Sequence, residues 1–396
     1  MKKLEEPHTM ASGNHAHRSF SPLRWTAAAG IVAAVGIAMC TTGLQANAAV
    51  AATWHAQMPP NPSGATAASL SGVSCPAANE CVAVGSASFP GGTRTLAERW
   101  NGTTWSILST PNPAPAGDSL TAVSCPSVSV CVAVGSTGSN SDGTQYGLIE
   151  RWNGSSWSAT KINPGEGGSA VFVAVSCVSA SACTAVGNTY NCCDPEQFTM
   201  AERWNGTSWS LQSTPEPDCG CSQFTGVSCP NASVCTASSE GPLAERWTGG
   251  SWIIGTSQPP APGSGVGGLE GVSCPSATTC TAVGYYYTNT SYTTRAALSD
   301  HWNGSSWAIQ TQPSSAEELR SVSCPTTSAC SAIGVTHASG VFASHWNGSN
   351  WVAQTVPAPG THDTLNAIDC TSATACIAVG TYRSGSEMVT LAERYS

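Results

Sequence analysis

The side chains of this sequence that could bind or transform a ligand stand outside its recurring motifs. Arginine guanidinium groups that converge on one carboxylate bind it through paired, charge-assisted hydrogen bonds. Four arginines, two acids and a tyrosine could line such an anion pocket: Arg94, Arg295, Arg320, Arg383, Glu270, Asp363 and Tyr286. The alternative is that these arginines are scattered over the surface, because sequence order does not show that they converge.

An aromatic cluster, YYYTNTSY at 285–292, is a second candidate for binding. Its first three residues are Tyr285, Tyr286 and Tyr287, and threonine and asparagine follow them. Exposed tyrosine faces beside such polar groups suit stacking on a sugar ring. An ordinary β-rich loop is the alternative interpretation.

Fourteen of the 19 cysteines form seven pairs with one spacing: Cys75/Cys81, Cys125/Cys131, Cys177/Cys183, Cys229/Cys235, Cys274/Cys280, Cys324/Cys330 and Cys370/Cys376. Local cysteine pairs predict disulfides in an oxidising compartment when the chain also carries an export signal, and the N-terminal part of this sequence has the pattern of one. Each short loop stabilises the fold by roughly 2 kcal/mol on the chain-entropy model. A zinc site would need CxxC motifs or histidine partners at ligand spacing, which these pairs lack.

Four further cysteines lie in two polar segments: Cys192, Cys193, Cys219 and Cys221. We expect two additional disulfides that link these segments, with the pairing undetermined. A four-cysteine metal site is the alternative, although adjacent cysteines chelate one ion awkwardly.

The elements that position these residues follow from the motif RWNGSSW at 151–157, of which near-copies recur along the chain. Asn-Gly between two extended runs indicates a β-hairpin, for which a type I′ turn requires positive φ at both central residues. The loop is either Asn-Gly alone or all of NGSS. In both cases Trp152 and Trp157 lie on one face of the hairpin, where we expect them to pack in the core.

The cysteine pairs recur with a period of 45 to 52 residues, which is typical of a propeller blade. Within one repeat, LTAVSC (120–125) and CVAVGS (131–136) predict a first hairpin, and YGLIERW (146–152) and WSATKI (157–162) predict a second. Glu-Arg dipeptides that precede the hairpin tryptophan, such as Glu150 and Arg151, suggest ion pairs between blades. Four antiparallel strands make one blade, so the sequence predicts an all-β, seven-bladed β-propeller.

The two ends of the repeat region predict how the ring closes. The seventh repeat stops at LAERYS (391–396), so it has a third strand without a fourth. TWHAQMPPNP (53–62) matches the fourth strands of other repeats, with Trp54 equivalent to Trp351. We therefore expect an N-terminal strand to complete the last blade, which removes both sheet edges.

The N-terminal part of the chain has the pattern of an export signal. Residues 25–44 are apolar, Arg18 and Arg24 precede them, and Ala46-Asn47-Ala48 is a small-x-small cleavage pattern. We predict a signal peptide or disordered tail at 1–48 and one propeller domain at 49–396, secreted from the cell. An uncleaved membrane anchor is the alternative.

Composition excludes several functional classes. Ten basic and 21 acidic residues follow position 48, and this balance argues against nucleic acid or an anionic membrane surface as a partner. The sequence contains no GxSxG, P-loop or HExxH motif. We therefore expect no cofactor, no metal and a monomer.

The repeats SCPSxxxC, AVG and WNGxxW resemble those of secreted actinobacterial propeller-repeat proteins, over residues 53–396. Gly206-Thr207-Ser208-Trp209 is similar to the end of the sialidase Asp-box, although Trp204 stands where that box has its aspartate. The AVG motif is similar to kelch repeats, with one glycine in place of their pair. The resemblance implies a seven-bladed propeller and little chemistry.

The sequence therefore favours a secreted, non-catalytic propeller that binds a glycan, a cell-wall polymer or a protein through its variable loops, because loops on a rigid scaffold commonly carry binding residues. A carbohydrate-active enzyme, either a sialidase-like glycoside hydrolase or a lyase, is the alternative. It would use the arginine, glutamate and tyrosine residues named above.

Overall fold

The computed structural model describes residues 52–114, 116–139, 144–163, 168–191, 194–215, 223–241, 243–256, 265–338 and 340–396. Within these ranges the chain forms 28 β-strands and no helix. No helix in the same ranges is long and apolar enough to cross a membrane. The all-β class predicted from the sequence is confirmed.

The strands follow β1 (Trp54–Gln57) in sets that match the sequence repeats. The first three sets are β2 (Ala67–Ala77), β3 (Glu80–Phe89), β4 (Gly92–Trp100), β5 (Trp105–Leu108); β6 (Ser119–Ser127), β7 (Val130–Ser136), β8 (Gly147–Trp152), β9 (Trp157–Ile162); and β10 (Gly168–Ser179), β11 (Ala182–Asn191), β12 (Asp194–Trp204), β13 (Trp209–Gln212).

The remaining sets are β14 (Phe224–Asn231), β15 (Val234–Ser239), β16 (Leu243–Trp247), β17 (Trp252–Thr256); β18 (Gly265–Ser276), β19 (Thr279–Tyr287), β20 (Arg295–Trp302), β21 (Trp307–Ile309); β22 (Ala316–Thr326), β23 (Ala329–Thr336), β24 (Val341–Trp346), β25 (Trp351–Gln354); and β26 (Thr361–Ser372), β27 (Ala375–Ser384), β28 (Glu387–Tyr395). We call the first strand of each set its inner strand.

Each set is an antiparallel meander in chain order, and the sets together form a β-propeller. Five sheets have four strands each, and a sixth sheet has eight because Ala67 of β2 pairs with Met388 of β28. In that sheet β1 pairs with β28 antiparallel, so that Trp54 lies opposite Tyr395. The N-terminal strand therefore adds to the last strand set, at the position that the sequence predicts.

The hairpin tips have four-residue loops. Trp152 lies directly opposite Trp157, with ring centroids 5.7 Å apart. The Asn153 N–H donates to the Ser156 carbonyl oxygen at 3.2 Å, and the Asn153 side-chain oxygen accepts the backbone N–H groups of the second and third residues that follow it. Only Gly154 has a positive φ, at 95°. Of the two loops that the sequence leaves open, the structure has the four-residue loop NGSS, in which the asparagine caps the turn with its side chain and keeps a negative φ.

The apolar core lies between consecutive strand sets. One cluster combines Val84 and Ala97 of the first set with Leu120, Leu148 and Trp157 of the second. Trp152 and Trp157 are 8% and 7% exposed, respectively, which confirms that the paired tryptophans pack in the core.

All seven repeat disulfides are present, at the seven pairs predicted. Each one joins an inner strand to the second strand of its set, as in Cys177 opposite Cys183. The second cysteine of every pair is buried: Cys81, Cys131, Cys183, Cys235, Cys280, Cys330 and Cys376. The disulfides therefore fasten each first hairpin from within the core.

The four cysteines outside the repeat pairs, Cys192, Cys193, Cys219 and Cys221, lie outside the described residues. The two additional disulfides among them stay a prediction.

A series of hydrogen bonds joins neighbouring inner strands. The backbone N–H of Cys125 donates to the hydroxyl of Ser74, the residue before the first cysteine of the preceding set, at 3.0 Å. Equivalent bonds run from Cys177 to Ser124, Cys229 to Ser176, Cys274 to Ser228, Cys324 to Ser273 and Cys370 to Ser323. Between the last set and the first, Asp369 replaces the serine and accepts the Cys75 N–H at 2.7 Å.

Among the described residues, three glutamates of the Glu-Arg dipeptides form no ion pair of the kind that the sequence suggests. Glu98, Glu150 and Glu393 are fully buried, and the carboxyl oxygens of Glu98 and Glu393 have no hydrogen-bond partner among the described residues. Burial in a low-dielectric layer raises the pKa of these three carboxyls to about 8, which leaves them mostly neutral at pH 7.

Three arginines of these dipeptides stack on tryptophans, whereas Arg99 forms an ion pair with Glu80 of its own strand set at 2.9 Å. The Arg151 guanidinium lies over the Trp204 ring of the next set, 4.1 Å from its centroid. Arg203 lies over Trp247, and Arg246 over Trp302, in the same way. Cation–π contacts between neighbouring sets thus take the place of the suggested ion pairs.

Candidate functional site

The inner strands β2, β6, β10, β14, β18, β22 and β26 together line a cavity of about 520 Å³. Most of its lining consists of serine, threonine, glycine and small apolar residues. The charged residues of the lining are Glu270, Glu318, Arg320 and Asp369. Three of these four come from the neighbouring strands β18 and β22, so the charge of the cavity is concentrated on one side.

Glu318 lies between two arginines. Its carboxylate accepts a hydrogen bond from Arg295 Nη1 at 2.6 Å and another from Arg320 Nε at 3.1 Å. Arg295 begins β20, and Glu318 and Arg320 are alternate residues of β22, which places both side chains on one face of that strand. The site thus has a fixed carboxylate with a guanidinium group on each side.

Tyrosine rings surround Arg295. Its guanidinium carbon lies 4.2 Å from the ring centroid of Tyr285 and 5.4 Å from that of Tyr287, and Arg295 Nη2 donates to the Tyr287 hydroxyl at 3.3 Å. Tyr285 and Tyr287 point to the same face because they alternate along β19. Stacking and hydrogen bonding therefore fix the orientation of this guanidinium.

Tyr292 extends the aromatic surface outward. Its ring lies edge-on to Tyr287, with centroids 5.1 Å apart, and the residue is 58% exposed. Its φ is 56°, a conformation that a bulky residue rarely adopts. The loop holds this conformation because the Asn289 side chain bonds to Thr293 and Thr294, and the Thr288 N–H donates to the Thr294 carbonyl oxygen. Tyr292 is thus presented to solvent by an ordered loop.

Glu270 stands beside this group on β18. Burial, together with the negative charges of Glu318 and Glu240, raises its pKa to about 7 against the opposing effect of Arg320 and Arg295. At neutral pH the Glu270 carboxyl is therefore close to half ionised. We refer to Glu270, Tyr285, Tyr287, Arg295, Glu318 and Arg320 as the mouth cluster.

The structure brings together five of the residues singled out in the sequence: Glu270, Tyr285, Tyr287, Arg295 and Arg320. Tyr286 points to the opposite face of β19 and packs against the core cluster that contains Leu269 and Leu298. It is therefore a packing residue and does not belong to the anion pocket suggested by the sequence.

The other candidates lie elsewhere. Arg94 is exposed and lies over the Phe89 ring, and Arg383 is exposed on β27. Asp363 is buried on β26 and accepts the Gly360 N–H at 3.3 Å. Within the ranges that the structure describes, no hydrogen bond, ion pair or ring contact joins Arg94, Asp363 or Arg383 to the mouth cluster.

The repeat cysteines do not contribute to the site. Cys131, Cys235, Cys280 and Cys330, the second cysteines of four pairs, are between 0% and 3% exposed. Each of them packs in the apolar cluster of its own strand set. Since a ligand in the cavity cannot reach side chains buried in this way, these cysteines are structural residues of the core.

Sequence reasoning missed Glu240 and Glu318. Glu318 carried a usable signal, because it precedes Arg320 by two residues on a predicted strand and so shares its face. Glu240 carried none, since only the packing of neighbouring strand sets brings it near Glu270.

The arrangement favours binding over a reaction centred on the arginines. Arg295 and Arg320 both pair with Glu318, so a ligand carboxylate would have to compete with an internal one. Across the described residues, no group of three or more histidines, cysteines and acids could hold a metal ion.

No family model matches this sequence, and no curated protein matches it. Several solved propellers resemble its fold. The structure of YCF48 bound to D1 peptide has a TM-score of 0.54 at 14% identity, over 86% of this chain and 96% of that one. U3-55K has a TM-score of 0.56 at 9% identity, over 86% and 98% of the two chains. The WD40 propeller domain of Doa1 has a TM-score of 0.53 at 10% identity, over 86% and 97%. At such identities the likeness establishes the fold alone, and that fold is a β-propeller.

Proposed function

We propose that this chain is a secreted, non-catalytic propeller of seven blades that binds a protein, a glycan or a cell-wall polymer at the mouth cluster. The observation that carries the proposal is that this cluster gathers aromatic and charged side chains around three residues of the cavity lining, Glu270, Glu318 and Arg320. None of its residues is part of a motif that the repeats share. Exposed aromatic rings beside fixed polar groups are typical of binding surfaces.

Contacts between the first and last strand sets support a closed ring of seven blades. The strand β1 adds to β28, β2 lies against β26, and Cys75 bonds to Asp369 where serines serve the other boundaries. In this ring β1 is the fourth strand of the last blade.

Seven disulfides support export, because such bonds persist in oxidising compartments. The proposed signal peptide and the resemblance to secreted actinobacterial proteins agree with this location.

The solved propellers support a polypeptide as one class of ligand. One of them is described as bound to D1 peptide, and another, Sqt1, as bound to the N-terminus of the ribosomal protein L10. Tyr287 and Tyr292 supply the rigid aromatic area that commonly anchors a peptide or a sugar ring.

A carbohydrate-active enzyme is the second candidate, and Glu270 favours it. A carboxyl with a pKa of about 7 near a second carboxyl, here that of Glu318, is the acid and base pattern of glycoside hydrolysis. Against this candidate, the two arginines available for an anionic sugar already pair with Glu318.

The test is binding of the full chain to a glycan array, to isolated cell wall and to a displayed random peptide library, with Tyr287→Ala as the variant. We expect binding to fall about tenfold or more, the usual cost of losing a central aromatic anchor. Arg94→Ala is the matched control, since Arg94 is exposed and outside the cluster, and thermal unfolding of each variant checks the fold. Full binding by Tyr287→Ala would refute the proposed site, and release of sugar products would favour the enzyme.

A further inference from the structure

Glu270 differs from the other acids that line the cavity. Glu318 is held by two arginines, and Asp369 accepts the Cys75 and Cys370 N–H groups and the Ser323 hydroxyl. Among the residues that the structure describes, no hydrogen bond or salt bridge reaches the Glu270 carboxylate. It is thus the acid of the lining that remains available to a ligand.

The charge around Glu270 is negative on balance. Glu240, Glu270 and Glu318 face two guanidinium groups, those of Arg295 and Arg320, and both of these are already directed at Glu318. The part of the cavity contributed by the other inner strands adds Asp369 and no basic residue. A cavity of this charge suits a cation, and its volume lies within the range of about 300–1,000 Å³ that is usual for ligand sites.

Other strand sets use the position of Glu270 for a hydrogen bond between inner strands, which Glu270 does not make among the described residues. Four residues before the first cysteine, Thr121, Thr225 and Asn366 donate hydrogen bonds to a backbone carbonyl of the next inner strand. A carboxylate cannot donate such a bond when ionised. The carboxylate therefore replaces an inter-strand donor with an acceptor that faces the cavity.

We propose that the ligand is a polypeptide that inserts one basic side chain, of lysine or arginine, into the cavity to pair with Glu270, while Tyr287 and Tyr292 contact its neighbouring residues. This inference rests on the proposed function and specifies the chemistry of its partner. The ammonium or guanidinium group supplies the hydrogen-bond donors that Glu270 lacks, and the tyrosine rings suit the aliphatic stem of such a side chain.

The pairing predicts a pH dependence of binding. The cation binds the ionised form of Glu270, whose pKa is about 7 through burial and the charges of Glu318 and Glu240, opposed by Arg320 and Arg295. Binding therefore lowers the pKa of Glu270 and releases a proton. Because the ionised fraction rises from about one eleventh to about ten elevenths between pH 6 and pH 8, affinity should rise about tenfold over that interval.

The experiment selects a displayed random peptide library on the full chain and on Glu270→Gln at pH 8. We expect wild-type selections to share a lysine or arginine at one position, and the variant to bind the same peptides about tenfold or more weakly. Replacing the basic residue by norleucine in a selected peptide should cost wild type the same factor and cost Glu270→Gln little. Glu387→Gln, an exposed acid at the start of β28, is the matched control and should bind as wild type does.

The outcomes separate this inference from the function on which it rests. Peptides selected without a shared basic position, or bound equally by Glu270→Gln, would overturn the inference and leave binding at the mouth cluster intact. Binding of glycans alone would also overturn it. Failure to bind any peptide, glycan or cell-wall polymer would overturn both.

Discussion

One backbone position has different roles in different strand sets around the cavity. Four residues before the first cysteine of a set, Thr121 bonds to the Phe172 carbonyl oxygen at 2.8 Å and Thr225 bonds to that of Leu269 at 2.7 Å. At the same position the neighbouring fifth and sixth sets carry Glu270 and Arg320. A repeat position that carries hydrogen bonds between inner strands in some strand sets thus carries charged side chains in two others, on the same backbone.

Removal of β1 is the change with the largest expected effect, and it tests the contacts between the first and last strand sets. A chain that begins at residue 63 loses Trp54, which is 5% exposed, and the bond from the Trp105 indole to Gln57. It also loses the bond from the Thr390 N–H to Asn61. We expect a cost of about 4 kcal/mol or more, since deletion of one buried tryptophan costs about 3–5 kcal/mol.

Denaturant unfolding measures this cost, and a chain that begins at residue 49 and keeps β1 is the control. Equal stability of the two chains would show that β1 does not complete the last blade, and the closed ring would have to be abandoned.

The second test separates buried carboxyls that serve packing from the carboxyl that serves a ligand. Glu98, Glu150 and Glu393 have pKa values raised to about 8 in the folded protein by burial, against 4.5 without it. The folded state therefore binds more protons than the unfolded state between these values, and the free energy of unfolding falls as pH rises from about 4.5 to about 8. Each group contributes up to about 1.4 kcal/mol per pH unit to this slope.

Unfolding of Glu150→Gln at several pH values should show a flatter slope than wild type, with unchanged ligand binding. Glu270→Gln should flatten the slope less, since Glu270 is less buried, and should lose binding instead. If both variants behaved alike, the distinction between the two kinds of carboxyl would fail.

The change with the smallest expected effect is at Thr121, four residues before the first cysteine of its strand set. Thr121→Val keeps the shape of the side chain and removes the hydroxyl that bonds to Phe172, so it should cost about 1 kcal/mol of stability. Ligand binding should not change, because the second strand set lies outside the mouth cluster. Chemical denaturation and a binding assay on the same preparation check both expectations, and a binding loss would extend the site across the cavity.

Much of this fold could be predicted from the sequence because its signals are local and repeated. Cys177 and Cys183 lie on either side of the turn of one hairpin, so their disulfide could be predicted from their spacing. The tip Trp152–Trp157 follows from Asn-Gly, and the pairing of Trp54 follows from counting strands at the two ends. The sequence left two loop lengths open at this tip, and the bonds that the Asn153 side chain accepts from the backbone N–H groups of Ser155 and Ser156 accompany the longer one.

The site was predictable only in part, because it depends on which residues meet between strand sets. Arg295 and Arg320 both form ion pairs with Glu318, an acid that no sequence pattern indicated. Arg94 and Arg383 belong to sets near these in the proposed ring, yet their side chains remain on the surface. Tyr285 and Tyr286 are adjacent in β19 and therefore point to opposite faces of the sheet. The register of the strand decides which of them faces the core.

The backbones of Thr53 and Ser396 exchange two hydrogen bonds, each 3.2 Å long. A short peptide could therefore join these positions, and the chain could be reopened at an exposed turn such as Gly385 without loss of any strand pair. Such a circular permutant would hold β1 and β28 together covalently. The molecule could then display a fused partner from the turn between β27 and β28.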